Sequence, residues 1–324
     1  MIRTAAAIMT SLAAFPAAGD ILLSLPIRCD LGQACFIQQY VDRDPGVGAA
    51  DFTCGPLSYD GHKGTDFALP TLHAMAAGVD VIAAAPGTVI ALRDGVPDIA
   101  FDTPGAPDSD GQECGNGVVL RHGDGWETQY CHLRQGSVAV QKGQRVGKGT
   151  VLGQVGLSGQ TTFPHVHFSV RHDGQVIDPF LPHDPVTCAP IDNPDTLWED
   201  SVSYRPGGLL EVGFSTRVPA LDAVEAGRAG IDTLPPQAPA LVAWVHGFGA
   251  RKGDRIELEL TGPDGRDIAR DLATETRARA RFLYAAGRKI RGDAWAPGTY
   301  RARAVHRRNG VEIDRRTATL TLQR

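Results

Sequence analysis

At 324 residues, with 42% hydrophobic and 21% charged residues, the chain can bury a sizeable core and is long for one compact domain, so two are expected. Its formal charge is −5, with Lys and Arg scattered along the sequence, which leaves no basic stripe to grip a phosphate backbone. Nucleic acid is therefore not an expected partner.

The N-terminus carries one Arg, a short apolar run of Ala, Ile, Met and Leu, and then small residues before Asp20. That order predicts a secretory signal over residues 1–19, with a small-x-small cleavage site at Ala17 to Gly19. The alternative is a short buried helix, but nothing in the stretch alternates polar with apolar. No later run approaches the ~18 apolar residues of a membrane helix, so no membrane span is expected after cleavage.

Six cysteines follow: Cys29, Cys35, Cys54, Cys114, Cys131 and Cys188. None forms a CxxC pair, and an even number in an exported chain suggests disulfides. Cys29 and Cys35 bracket a short loop. Cys114 and Cys131 flank two strand-like runs around Gly123, Asp124 and Gly125, so a hairpin would set them roughly opposite each other. Cys54 and Cys188 then pair by elimination; free buried cysteines are the alternative.

From 25 to 190 the sequence consists of short β-rich runs punctuated by glycine, with almost no 3.6-residue apolar period. The runs DVIAAAPGTVIALRDG, NGVVLRHGDG, WETQYCHL, GTVLGQVGLSG and HVHFSVRHDGQVIDP read as strands, and LPTLHAMAAG as a brief helix or loop. The polar stretch 97–113, rich in Pro, Gly and Asp, reads as an exposed loop at the rim. Residues 191–205 read as a connection. From 206 to 324, alternation at Ile256, Leu258 and Leu260 and turns at PDG and RNG predict a small immunoglobulin-like β-sandwich, with Trp244, Phe248 and Tyr284 in its core. The fold class is all-β.

Among ten histidines, three groups stand out. His62 and Asp66 lie four apart in GHKGTDFAL, close enough to converge on one ion, although such a spacing alone more often marks a surface pair. His165 and His167 alternate with Val166, Phe168 and Val170, so both imidazoles project from one face of a strand whose other face is apolar. His132 follows Trp126, Thr128 and Tyr130 at the same parity, which puts it on their face and Cys131 on the other. Two imidazoles and a carboxylate are the right donors for one zinc with a fourth position open. The other two histidines would then stand where a base or an oxyanion partner is needed. His73, His122, His172, His183, His246 and His306 are taken as surface or structural.

Over Gly61 to Pro179 the sequence resembles the lysostaphin-type, or LytM-domain, zinc metalloendopeptidases that cut peptide bonds in bacterial peptidoglycan. The resemblance rests on HKGTD, VIAAAPGTVIAL, YCHL, KGQRVGKGTVLGQVGLSGQTTFPHVHFSV and the closing IDPF. It implies a LytM-type β-sandwich with a duplicated hybrid motif, one Zn²⁺ per chain on His62, Asp66 and His167, and a catalytic pair, His132 and His165. It also implies attack by zinc-activated water on stem-peptide or cross-link bonds, and a periplasmic or secreted location. Phe163-Pro164 stands where many relatives carry Thr-Gly, a departure that would reshape the cleft floor. A catalytically silent LytM-like activator of other hydrolases is the rival reading, although such members usually lack part of the constellation. Lipoyl, biotinyl and sugar-phosphotransfer carriers share the glycine-turn skeleton, but not an export signal with a zinc-like histidine set. The C-terminal domain would position the enzyme at the wall, cover the cleft or contact a protein partner.

Overall fold

The computed structural model describes residues 19–108, 110–183 and 188–323. The expected signal segment lies outside them, apart from its last residue. The N-terminal unit runs through β1 (Phe36–Gln39), β2 (Thr65–Ala68), α1 (Leu72–Ala77), β3 (Asp80–Ile82), β4 (Gly87–Arg93), β5 (Asn116–Gly123), β6 (Trp126–Leu133), β7 (Arg145–Val146), β8 (Val151–Gln154), β9 (His165–His172) and β10 (Gln175–Ile177). Its main sheet has the order β1-β2-β9-β6-β5-β4-β7, with β10 added to β9, and β3 pairs β8 in a second, small sheet. The helix foreseen in LPTLHAMAAG is α1, started by Thr71, whose hydroxyl accepts from the Ala74 amide at 3.1 Å and satisfies one of the first-turn donors.

Strand alternation divides the main sheet into two faces. Phe67, Val118, Leu120, Tyr130, Val166, Phe168 and Val170 point into one core, which Val81 of β3 and Leu152 of β8 share. The opposite face carries Asp66, His165 and His167. Register places Asp66 directly across from His167, and Ala68 across from His165. The strands β1 and β2 were not read as strands from the sequence. Each has only four residues, and all four in β2 are buried, so no polar–apolar alternation marks them.

All three expected disulfides are present, with Cα separations of 6.1 Å for Cys29–Cys35, 5.4 Å for Cys54–Cys188 and 4.8 Å for Cys114–Cys131. The third spans the β5–β6 hairpin. Residues 191–205, expected as a connection, contribute Leu197, Trp198 and Tyr204 to the first core. The Tyr204 hydroxyl donates to Asp51 at 2.8 Å.

The C-terminal unit comprises β11 (Gly208–Ser215), α2 (Leu221–Glu225), β12 (Ala240–Ala250), β13 (Arg255–Thr261), β14 (Asp267–Thr274), β15 (Arg279–Lys289), β16 (Gly298–Arg308) and β17 (Val311–Leu322). Sheets β11-β12-β15 and β14-β13-β16-β17 face each other across a core that includes Leu241, Val245, Phe282, Ile256, Leu258 and Leu260. The alternation at Ile256, Leu258 and Leu260 is the inward set of β13. Tyr284 packs against this core, whereas Phe248 belongs to a third cluster, with Phe36, Ala68 and Leu210. Phe36 and Phe248 meet with ring centroids 4.5 Å apart, so the units join on the face of the main sheet that carries the histidines. Polar contacts support the junction: Arg205 and Arg316 both donate to the Gly32 carbonyl, at 2.9 and 3.0 Å. Among the described residues, no helix is long and apolar enough to cross a membrane.

Candidate functional site

His62, Asp66, His132, His165 and His167 line one cleft of about 660 Å³. His62 Nε2 lies 3.2 Å from Asp66 Oδ1 and 3.1 Å from His167 Nδ1, and His167 Nδ1 lies 2.9 Å from the same carboxylate oxygen. The sequence alone could not show how a His and an Asp four apart converge without a helix. They do so because Asp66 sits on β2 opposite His167 while His62 stands on the turn leading into that strand. Gly64 makes this approach possible: a Cβ there would lie 2.6 Å from His167 Nε2 and 2.7 Å from the Phe168 carbonyl oxygen. Gly64→Ala should therefore push His167 off its position and weaken the affinity for any metal ion held there by about 10–100-fold, as loss of a ligand-orienting contact does; competition with a chromophoric chelator measures it.

Each imidazole has one nitrogen tied to the protein and the other turned to the cleft. His62 Nδ1 donates to the Tyr40 carbonyl at 2.6 Å. His167 Nε2 donates to Ser169 Oγ at 3.0 Å, and that hydroxyl donates to the Lys63 carbonyl at 2.7 Å. His132 Nδ1 donates to the Ser158 carbonyl at 2.8 Å, and His165 Nδ1 to the Phe163 carbonyl at 3.0 Å. Such partners fix the tautomer and leave the facing nitrogen as a lone pair. Neutral His62 and His167 then aim two lone pairs at each other and at a carboxylate within the hydrogen-bond range, an arrangement that calls for extra protons or a cation. Among the described residues, His62, Asp66 and His167 form the one cluster whose ligand atoms all lie within 4.8 Å of one another. Nitrogen and oxygen donors in this number suit zinc with an open position.

The electrostatics follow from burial and crowding. Burial opposes charge on His62, but the Asp66 carboxylate, the Tyr40 carbonyl and Asp42 together outweigh it and raise the His62 pKa. Burial likewise pushes Asp66 up, and the neighbouring His62 and His165 overturn this, holding it well below the usual carboxylate range. His132 is driven well below the ordinary imidazole value by burial, then by His165 and His167. His167 is also lowered, chiefly by burial.

His132 corrects the parity argument. Trp126 and Tyr130 face the core, yet both Cys131 and His132 line the cleft. Between Val118–Tyr130 and Asn116–Leu133 the register shifts, leaving one extra residue on β6, and His132 has φ +61°. This bulge turns two consecutive side chains the same way, at a backbone cost of about 1–3 kcal/mol for a non-glycine residue in the left-handed region. Asn116 holds the bulge, donating from Nδ2 to the carbonyls of Val96 at 2.7 Å and Leu133 at 3.0 Å. Cys131 remains unable to serve as a ligand because it is in a disulfide.

The rim supplies residues that the sequence reading passed over. Tyr59 stacks on His62 at 4.4 Å between ring centroids. The 97–113 loop, its residue 109 outside the described set, brings Phe101 and Glu113 to the cleft; the Phe101 amide donates to the Thr161 carbonyl at 3.0 Å. Of the histidines taken as structural, His246 and His306 are buried in the C-terminal unit, and His306 pairs with Asp254 at 2.8 Å.

Comparison with known proteins matches residues 60–179 to peptidase family M23. Those residues match the family's domain model. All five site residues lie within the domain. The chain is similar to the peptidoglycan DD-endopeptidase ShyA of Vibrio cholerae, 31% identical over 117 residues, covering 36% of this chain and 22% of that protein. It is also similar to the DD-carboxypeptidase/endopeptidase Mpg of Neisseria meningitidis, 43% identical over 65 residues, covering 20% and 14%. The cell division protein DipM of Caulobacter vibrioides is 40% identical over 76 residues, covering 24% and 12%. The match thus spans less than a quarter of the length of each relative. Among solved structures, the catalytic domain of the M23 protein EnpA from Enterococcus faecalis aligns at 24% identity and a TM-score of 0.32, over 46% of this chain and 91% of that one.

Proposed function

We propose that this chain is a zinc metalloendopeptidase that hydrolyses peptide bonds in peptidoglycan stem peptides or cross-links. His62, Asp66 and His167 would hold one zinc, and His132 and His165 would act on the substrate. The observation that carries the reading is the convergence of five side chains, each imidazole with one nitrogen committed to the protein behind it and the other turned toward a shared cleft.

A bound zinc ion supplies Lewis acidity and lowers the pKa of coordinated water from 15.7 toward ~7. His132, kept neutral by burial and by its histidine neighbours, presents Nε2 as a proton acceptor. His165 presents its own Nε2 beside it, the two rings 4.6 Å apart between centroids. Together they can hold a proton at the cleft face and deliver it to a departing amine. Tyr59, Phe101, Glu113 and Arg171 line the same cleft and would orient the peptide. Similarity to ShyA and Mpg favours bonds between D-amino acids.

Three disulfides accord with an oxidising compartment, and together with the export signal expected over residues 1–19 they favour the periplasm. The C-terminal sandwich is taken as an immunoglobulin-like module. A silent activator, the rival reading, would be expected to lack part of the five-residue set, and this chain has all of it.

Purified full-length protein incubated with peptidoglycan sacculi, with zinc and with excess chelator, tests the proposal. Mass spectrometry should find cross-linked fragments converted to monomers only where zinc is available. A protein that holds stoichiometric zinc and releases nothing would favour the activator.

A further inference from the structure

Phe163 connects the candidate site to the C-terminal unit. Its ring lies against that of His165, with centroids 4.3 Å apart and planes inclined at 21°. Its carbonyl accepts the His165 Nδ1 proton at 3.0 Å, so one residue engages the imidazole through both main chain and side chain. The Arg281 guanidinium carbon stands 5.7 Å from the Phe163 ring centroid, within the ~6 Å reach of a cation–π contact. Arg281 lies on β15 and is held by Glu225 of α2 at 2.9 Å. Phe163 also packs against the cluster of Phe36, Ala68, Leu210 and Phe248, in which Ala68 is the cross-strand neighbour of His165.

We propose that Phe163 is a positioning residue for His165, and that the C-terminal unit keeps it in place through Arg281 and the apolar contacts of Leu210 and Phe248. The physical reason is rotational. The Phe163 carbonyl at 3.0 Å and Thr161 Oγ1 at 3.2 Å both contact Nδ1 and fix the His165 tautomer, but contacts at one ring edge leave the imidazole free to rock about that edge. An aromatic surface against the imidazole face removes this freedom and keeps Nε2 aimed at the cleft. Phe163 packs against Phe36 and Ala68 of its own unit, and its other neighbours, Leu210, Phe248 and Arg281, reach it only when both units are docked. The C-terminal unit thereby contributes to turnover without lending a residue to the chemistry. This inference rests on the peptidase reading for the role of His165.

Arg281 provides the clean test because it does not line the cleft. In the zinc-loaded full-length protein, acting on a soluble cross-linked peptide dimer released from peptidoglycan, Arg281→Ala should lower kcat about fivefold with KM unchanged. Arg281→Lys should restore most of the loss. Phe163→Ala should lower kcat about tenfold, and Phe163→Tyr, which keeps the ring, should remain near wild type. Zinc affinity should be the same in all five proteins. Independently of turnover, the His165 Nδ1 proton, assigned by its loss in His165→Gln, should give a sharp NMR signal in wild type and a solvent-broadened one in Phe163→Ala and Arg281→Ala. Wild-type kcat and an unbroadened signal in Arg281→Ala would overturn the inference, as would a kcat loss matched by lost zinc affinity. If wild type cleaves nothing, the peptidase reading fails, and the NMR signal still decides whether Phe163 and Arg281 hold the ring.

Discussion

His167→Ala protein is expected to purify without stoichiometric zinc and to leave peptidoglycan sacculi uncut. Residues that merely orient a ligand cost about 10–100-fold in metal affinity or activity when changed, and removing a ligand should cost more. The remaining donors, His62 Nε2 and Asp66 Oδ1, stand 3.2 Å apart and offer an ion two contacts instead of three. His165 Nε2, 3.3 Å from the same Asp66 oxygen, is the nearest substitute donor. Were it to move in, part of the metal would return, but a residue assigned to the chemistry would be consumed and turnover would still fail. Metal content by atomic emission and fragment release by mass spectrometry, measured on one preparation, check both halves. Full activity in a zinc-free His167→Ala protein would sink the ligand assignment.

The histidine strand was legible because its period is simple. Val166, Phe168 and Val170 need the core, so His165 and His167 must share the other face. The His62–Asp66 pair was legible as a spacing, but its convergence depends on cross-strand register with His167, which a single sequence does not display. His132 shows where periodicity fails. One extra residue on β6 and a left-handed backbone reverse the face that alternation assigns, and neither leaves a mark in residue type. The hydrogen-bond acceptors behind the imidazoles were equally hidden. Three of the four are main-chain carbonyls, those of Tyr40, Ser158 and Phe163, and any residue could supply one. Phe163 itself was visible as a departure from relatives, whereas its contact with Arg281, more than a hundred positions away, depends on how the two units dock. In the C-terminal unit, the inward set of β13 was readable, but β14 was not, because most of its residues are exposed and its charged side chains mask the strand.

The second large effect is expected at His132, where zinc binding and turnover should separate. His132→Ala should keep wild-type zinc affinity, because the His132 ring lies outside the three-residue cluster, with its centroid 6.0 Å from that of His167. Its kcat should fall by about 10²–10⁴, the usual contribution of a positioned acid–base group. KM should change little, since an interaction made only in the transition state is lost. Alanine at a left-handed position also disturbs the bulge, so a control is needed. His132→Asn serves, because asparagine tolerates positive φ better than most residues and its amide can donate to the Ser158 carbonyl in place of Nδ1. What it cannot supply is a basic nitrogen facing the cleft. If the basic nitrogen matters, both variants should bind zinc and be almost inactive, with His132→Asn melting near wild type. If position on the bulge is all that matters, His132→Asn should recover most of the turnover, and the acid–base role assigned to His132 would then be wrong.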